Sequence, residues 1–594
     1  MYKKCYQGKN IGKNLYEMHL WESDGKHQRI NYLVEAYQLC GENQAEAHGL
    51  GSEPLRKIKN WKFSRSEKYR HDNTPNLYYG DSRLAKDGWV QNFLIDRYGT
   101  NDEPSTGHRE LYFDIECEIG GALTEEYIER APMTITSIAW WDKIEDHWAI
   151  LILDTKDQLK HTKTGKNKNK EIIPVRTEQE LLGKFIENFR RIDPDILIGY
   201  NSDFFDIPYL YYRICNVLGK EFADHLSPLE GEIDEPISSK KYSQYYFSKD
   251  QSVRIKGVES LDYMKLHRKY SWKDEPSWKL DAIGEKYASV NKIEYEGNLD
   301  QLFETDIHKF IEYNFRDVEI LKLLDEKLQY IALTKNLSHK GKHNYEDIYY
   351  NSVTQDGAIS AYLLSQGIVP PNKEMNPANK KGYAGGYLFC PKAGLYKYMF
   401  DEDLTSLYPS IIMSLNIGKE TLLARIVDAD DRNNRLGLND LKEMDPNKEI
   451  LVENFVKNTQ KMQPVSKVIE TIEKFNLAVS ANGCMFRTDK ESALSTILAK
   501  WFNERVEYKN KMKAAYKAND KEAGEYYHLM QYTMKILLNS LYGATALPNF
   551  RYGMNYAILS EAITLSGHRI IQESALCANK HMNKVMRGKI KLNI

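Results

Sequence analysis

The sequence predicts a multidomain α/β protein, and three observations carry that expectation. At 594 residues the chain is too long for one compact core, and roughly 100 to 200 residues per domain suggests three to five domains. Apolar, β-branched runs at 111 to 115, 134 to 141 and 148 to 153 precede a helical stretch at 178 to 190 and the short run DILIGY at 195 to 200. That order of elements fits a mixed sheet flanked by helices. Two further segments, 303 to 335 and 491 to 541, carry helical patterning. The first reads as one long helix or two broken ones, and the second as an antiparallel pair turning at Ala518-Asn519-Asp520.

Composition narrows the classes. Apolar residues make up 42 % and charged residues 28 %, with a net charge of -2, which excludes a disordered polyanion and a histone-like polycation. Any DNA phosphates must then be met by local Lys and Arg clusters. The seven cysteines are widely spaced without metal-ligand patterning, so a reducing, cytoplasmic compartment is expected. No apolar leader opens the chain and no stretch is long enough to span a bilayer, so no membrane partner is expected. The basic run KHTKTGKNKNK at 160 to 170 reads as a solvated loop. Pro370 and Pro371 begin a linker, and a second strand pattern follows from 387.

Three acidic segments matter for chemistry. In LYFDIECE, Asp114 and Glu116 are two apart on a strand, so both point to one face while Phe113 and Ile115 point to the other. In GYNSDFFDIPYL a buried strand ends at Tyr200, and Asp203 and Asp206 occupy the turn into a helix whose first turn accommodates Pro208. In YNFRDVEIL, Tyr313 and Asp317 are four apart and share a helix face. Each alone is ordinary surface charge or a helix cap. Together they are the oxygen-rich set that two hard cations about 4 Å apart require for phosphodiester hydrolysis.

In order, spacing and flanking residues these segments resemble the Exo I, II and III motifs of the DnaQ-like exonuclease domain of family B DNA polymerases, which has an RNase H-like fold. The resemblance implies that Asp114, Glu116, Asp206 and Asp317 are metal ligands and that Tyr313 orients the attacking water. It favours Asp206 over Asp203, because the family's acid directly precedes the apolar-Pro-Tyr element.

Two further runs resemble the polymerase motifs of the same family. DLTSLYPSII, from Asp403, resembles motif A. By that resemblance Asp403 and the adjoining Leu404 belong to a metal site, Ser406 and Leu407 offer backbone N-H groups to a triphosphate, and Tyr408 excludes a 2'-hydroxyl. KILLNSLYGA, from Lys535, resembles motif B. Lys535, Asn539 and Tyr542 fall on one helix face, and Gly543 permits close backbone approach. Arg505 and Lys509, four apart upstream, complete the implied triphosphate set. YAGG at 383 to 386 resembles the element joining the nuclease and polymerase halves, and the segment after motif B resembles the palm of T-even-like phage enzymes.

The resemblance implies an N-terminal domain over 1 to 107, the exonuclease over 108 to 330, a return to the N-terminal domain over 331 to 380, palm over 381 to 487, fingers over 488 to 545 and further palm over 546 to 594. It implies Mg2+ or Mn2+, two per active site, with primer-template DNA and dNTPs as substrates. The sequence departs from the family in lacking the acidic YGDTDS hairpin, motif C, and a thumb. Only 30 residues separate Arg505 from Lys535, a shorter fingers segment than T-even-like enzymes have. The expectation is therefore a split polymerase that extends primers only with a second polypeptide carrying motif C and thumb; a sliding clamp is a further candidate partner. The alternatives are a stand-alone 3'-5' DNA exonuclease with a relic polymerase half, and an RNA- or DNA-binding regulatory module.

Overall fold

A computed structural model describes residues 1–12, 15–23, 29–35, 37–40, 47–49, 54–59, 88–121, 123–159, 169–229, 233–234, 253–271, 274–370, 383–389, 393–395, 403–427, 437–547, 550–553 and 557–585. Most of the basic run at 160 to 170, Pro371 with the rest of its linker, and the final nine residues lie outside these.

The chain opens with an antiparallel meander of β1 (Tyr2–Gly12), β2 (Leu15–Glu22) and β3 (Arg29–Glu35), against which α1 (Gly88–Tyr98) packs. Buried Lys3 and Lys4 dock this meander on the next domain by pairing with buried Asp195, at 3.3 and 3.1 Å. The chain later returns to this region. Ile368–Val369 pairs in parallel with His48–Gly49, and the Tyr2 hydroxyl lies 3.0 and 2.8 Å from the carbonyl oxygens of Ser338 and His343.

The central domain is a mixed six-stranded sheet, ordered β7 (Lys170–Val175), β6 (His147–Leu153), β5 (Ile135–Asp142), β4 (Glu110–Cys117), β8 (Ile196–Gly199), β9 (Glu259–Asp262). Strands β4 to β6 form an antiparallel meander, whereas β8 runs parallel to both of its neighbours. The mixed sheet read from the strand order is thus present. Alternation along β4 sends Leu111, Phe113 and Ile115 into a core with α2 (Glu178–Ile192) and α3 (Asp206–Val217). Tyr112 faces the opposite core, closed by α5 (Ile307–Leu328). Between β9 and α5 lies α4 (Tyr263–Tyr270).

The helical segment at 303 to 335 resolves into two helices. Gln329, at φ +53°, ends α5 and begins α6 (Tyr330–Gly341). A further helix, α7 (Asn351–Ser365), packs across α6 so closely that a Cβ at Gly357 would sit 1.7 Å from the Gly341 carbonyl oxygen.

The strand pattern expected from 387 is corrected in part. Tyr387–Phe389 is coil, and Leu407–Ser414 is a helix, α8. An apolar run this short suits a buried strand and a buried helix equally by periodicity, and Pro409 is tolerated in a first helical turn. Beyond it, a five-stranded sheet built around Leu422–Val427 supports two antiparallel helices, α9 (Ala493–Lys517) and α10 (Lys521–Thr545). Asp520 caps α10 through the Ala523 N-H at 3.1 Å. A final helix, α11 (Ile558–Val585), packs on α8 and α10. Among the described residues no helix is long and apolar enough to cross a membrane.

Candidate active site

Carboxylate oxygens of Asp114, Glu116 and Asp317 lie within 4.8 Å of one another, where β4 passes under α5. Strand alternation aims the first two at the helix, and the helix turn carrying Asp317 aims it back. Asp206 joins them from the start of α3, its Oδ1 accepting the N-H of Ile115 at 3.3 Å, between the two strand acids. The turn that delivers Asp206 is pinned by buried Asp262, which accepts from the Asn201 N-H at 3.0 Å and the Asp203 N-H at 3.4 Å. Glycine at 199 is required there, since a Cβ would come within 2.5 Å of the Ser202 Cβ and 3.2 Å of the Phe113 ring.

Asp203 is held elsewhere. It accepts from the Ser260 hydroxyl at 2.8 Å and from the Lys265 ammonium at 3.0 Å. The two acids of this turn therefore have separate environments: Asp206 against the acidic group, Asp203 neutralised by a lysine.

Four acids crowded together, Asp206 and Asp317 buried and Asp114 and Glu116 half-buried, resist ionising together. Burial, then Glu116, Asp317 and Asp206, push the Asp114 carboxyl well above its ordinary range. Burial and Asp317 push Glu116 up to about 8, against the pull of Lys292. Asp206 is pushed up to about 7, chiefly by burial. The Asp317 carboxyl is raised by burial, again opposed by Lys292. The Oδ1 of Asp317 is buried and has no hydrogen-bond partner. An all-oxygen donor set with an orphaned, buried carboxylate oxygen suits a hard divalent cation and disfavours zinc.

Sequence reasoning missed Lys292. Its ammonium pairs with Asp317 and donates to the Tyr313 hydroxyl at 3.0 Å. Burial works against this charge, but Asp317, Tyr313 and Asp114 outweigh it and hold the ammonium firmly protonated. The lysine lies in a connection without helix or strand, 25 residues from Asp317, so no periodicity pointed to it. Asn314, which donates to Asp114 Oδ2 at 2.7 Å, was also missed.

Lys292→Met is expected to weaken Mn2+ binding at these acids about 10- to 100-fold at neutral pH. It should also move the pH dependence of that binding upward, because the carboxyls lose the charge that helps them ionise. Calorimetry across pH 6 to 9 checks both.

The second candidate site has looser surroundings. Asp403 and Leu404 are exposed in the coil before α8. Ser406, at φ +55°, opens that helix, so Leu407 begins it. The Tyr408 and Tyr542 rings meet at 4.4 Å between centroids, bringing α8 and α10 together. Asn539 and Gly543 are exposed on α10, with Lys535 half-buried beside them. Arg505 and Lys509 lie on α9. Arg505, burial and then Lys513 and Lys535 all lower the Lys509 ammonium. Burial lowers the Arg505 guanidinium, and its Nε is buried without a partner. Mutually repelling cations with an unmet donor suit a polyanion.

Comparison with known proteins fits both halves. The model for DNA polymerase family B matches residues 354–593, and that for the DNA polymerase family B exonuclease domain matches residues 95–283. This chain belongs to DNA polymerase family B. It is 27 % identical to the DNA-directed DNA polymerase of Escherichia phage RB69, over 85 % of this chain and 53 % of that protein. It is 25 % identical to the DNA-directed DNA polymerase of Enterobacteria phage T4, over 97 % of this chain and 66 % of that protein. DNA polymerase 1 of Sulfolobus acidocaldarius is 27 % identical over 77 % of the chain. The chain thus spans between about half and two thirds of these two phage polymerases. The T-even-like reading of its motifs agrees with the phage members of the family.

Proposed function

We propose that this family B chain carries a complete 3'-5' DNA exonuclease, of RNase H-like fold, together with the fingers and part of the palm of a DNA-directed DNA polymerase. The observation that supports the nuclease most is the convergence of Asp114, Glu116 and Asp317 within 4.8 Å, with Asp206 bonded between the two strand acids. Asp114, Glu116, Asp206 and Asp317 would hold two Mg2+ or Mn2+ ions, whose positive charge would stabilise charge developing on the scissile phosphate and favour ionisation of the attacking water.

The chain's own groups prepare the rest. An ammonium can only donate, so Lys292 occupies the Tyr313 oxygen as an acceptor and leaves the phenolic proton free. Burial, then Asp317, keeps that phenol protonated well beyond neutral pH. Tyr313 therefore donates a hydrogen bond to the attacking water and orients it in line with the scissile P-O3' bond. Attack joins the water oxygen to phosphorus as that bond breaks. A nucleoside 5'-monophosphate leaves, and a proton returns to the 3'-oxygen of the shortened strand.

For polymerisation, Asp403 and Leu404 would contribute to holding a metal ion, the first N-H groups of α8 at Ser406 and Leu407 meet the triphosphate, and Tyr408 checks the sugar. Arg505, Lys509 and Lys535 neutralise the phosphates, while Asn539, Tyr542 and Gly543 line the base pair. The acids of a motif C hairpin and a thumb are not among these 594 residues, and primer extension requires them to be supplied beside this chain. Primer-template DNA, dNTPs and a sliding clamp are the proposed partners, in the cytoplasm of an infected host.

The test is turnover of primer-template by the purified chain with Mg2+, with and without dNTPs. Degradation without extension, and extension once a polypeptide bearing the motif C hairpin is added, is the expected result. Extension by these residues alone would overturn the need for further palm acids, and no degradation under either condition would overturn the nuclease.

A further inference from the structure

We propose that Asn314, held by Ser137, is a positioning residue that fixes the Asp114 carboxylate for divalent-metal binding. This rests on the nuclease reading above. The observation is a two-link relay across three elements. The Ser137 hydroxyl of β5 donates to Asn314 Oδ1 at 2.8 Å, and Asn314 Nδ2 of α5 donates to Asp114 Oδ2 on β4 at 2.7 Å. Ser137 and Asn314 are both fully buried. The register that sets Ser137 directly across from Glu116 places the start of the relay at the acidic group.

The chemistry fixes the direction of the relay. A carboxylate only accepts, so Asn314 must turn its NH2 toward Asp114. Its carbonyl oxygen then needs a donor, and in the dry interior a flipped amide would set oxygen against oxygen. The serine hydroxyl supplies that donor, locking the amide in one orientation.

Asp114 gains from such a lock. It sits among Glu116, Asp317 and Asp206, all of which repel it, and rotation of its carboxylate away from them would relieve the repulsion. Lys292 restrains Asp317, and the Ile115 N-H restrains Asp206. The neutral amide restrains Asp114 by tying up Oδ2 and leaving Oδ1 directed for a cation. Because an amide does not titrate, the restraint works at every pH at which the carboxylate is ionised. Residues that orient a ligand in this way typically contribute 10- to 100-fold in metal affinity.

The experiment measures Mn2+ binding by calorimetry and by the free-ion electron paramagnetic resonance signal, without DNA, for wild type, Asn314→Ala, Ser137→Ala and Asp114→Ala. Asn314→Ala is expected to weaken Mn2+ binding about tenfold, and Ser137→Ala about threefold. Affinity for single-stranded DNA in EDTA should stay at the wild-type value, and the nuclease deficit of either variant should close as Mn2+ is raised. A role confined to packing would instead lower thermal stability and rate equally at all metal concentrations.

Wild-type Mn2+ affinity in folded Asn314→Ala would overturn the proposal. Should that variant not fold, Ser137→Ala, which removes one oxygen, decides the matter in the same way. Failure of wild type itself to bind Mn2+, or no change with Asp114→Ala, would overturn the nuclease reading underneath.

Discussion

Asp114→Ala/Glu116→Ala is expected to abolish measurable hydrolysis of single-stranded DNA, lowering the single-turnover rate by at least about a thousandfold. Cations at such a site contribute several kcal/mol of transition-state stabilisation, and about 4 kcal/mol corresponds to a factor of ~10³. The double variant removes two of the four proposed ligands, so what remains, Asp206 and Asp317, cannot clamp two ions. The same substitutions relieve repulsion in the metal-free protein, since Asp317 and Asp206 raise the carboxyls of both substituted acids and Glu116 raises that of Asp114. Thermal stability in EDTA is therefore expected to be equal to or above wild type. Lost activity with retained or raised stability separates a ligand role from a folding role. Residual hydrolysis within tenfold of wild type would show that the cluster is not the nuclease centre.

The second large effect is on pH and metal together. In the metal-free protein Glu116 keeps its proton up to about 8 and Asp206 up to about 7, chiefly because of burial. In the unfolded chain the same groups release theirs near pH 4 to 4.5, the ordinary carboxyl range. Between those limits the folded state binds more protons, so stability falls as pH rises. The contribution is fully present below about pH 4 and is lost as pH passes through about 8. Saturating metal should reverse the trend, because a bound cation displaces the protons and binds more tightly as they become easier to remove. At a hundredfold excess over its dissociation constant, a single-site ligand adds about 2.7 kcal/mol. Melting curves in EDTA and in Mn2+, from pH 5.5 to 8.5, should diverge with rising pH. Parallel curves would mean that the acids do not share a cation.

How much of this was legible in the sequence depends on the range of the signal. Asp114 and Glu116 could be placed on one strand face because a strand repeats every two residues, and Tyr313 and Asp317 on one helix face for the analogous reason. The helical pair was legible through its composition and the interruption at 518 to 520, where Asp520 caps the second helix. The helix at 407 to 414 was not, since eight mainly apolar residues fit either a strand or a helix and only tertiary burial of Ile411 and Ile412 decides between them. Lys292 was invisible because its role arises from a contact across a connection that has no repeat. Asn314 was hidden beside a louder neighbour, Tyr313. Its partner Ser137 lies 177 residues away and is joined to it only by the fold.

The early strands of this protein are completed by late ones. The hydroxyl of Tyr2 meets main-chain carbonyls 336 and 341 residues further on, and Ile368–Val369 extends the sheet that contains His48. At roughly 5 to 20 residues per second, a ribosome would need about 17 to 70 s to deliver those partners after the first strands emerge. During that interval the strand at Ala47–Gly49 has an open edge and the Tyr2 hydroxyl lacks its acceptors, and an open strand edge is where chains associate wrongly. The central domain, whose sheet strands all fall between Glu110 and Asp262, can form while the first segment waits. Assembly would then run from the middle outward, with the amino terminus among the last pieces to settle.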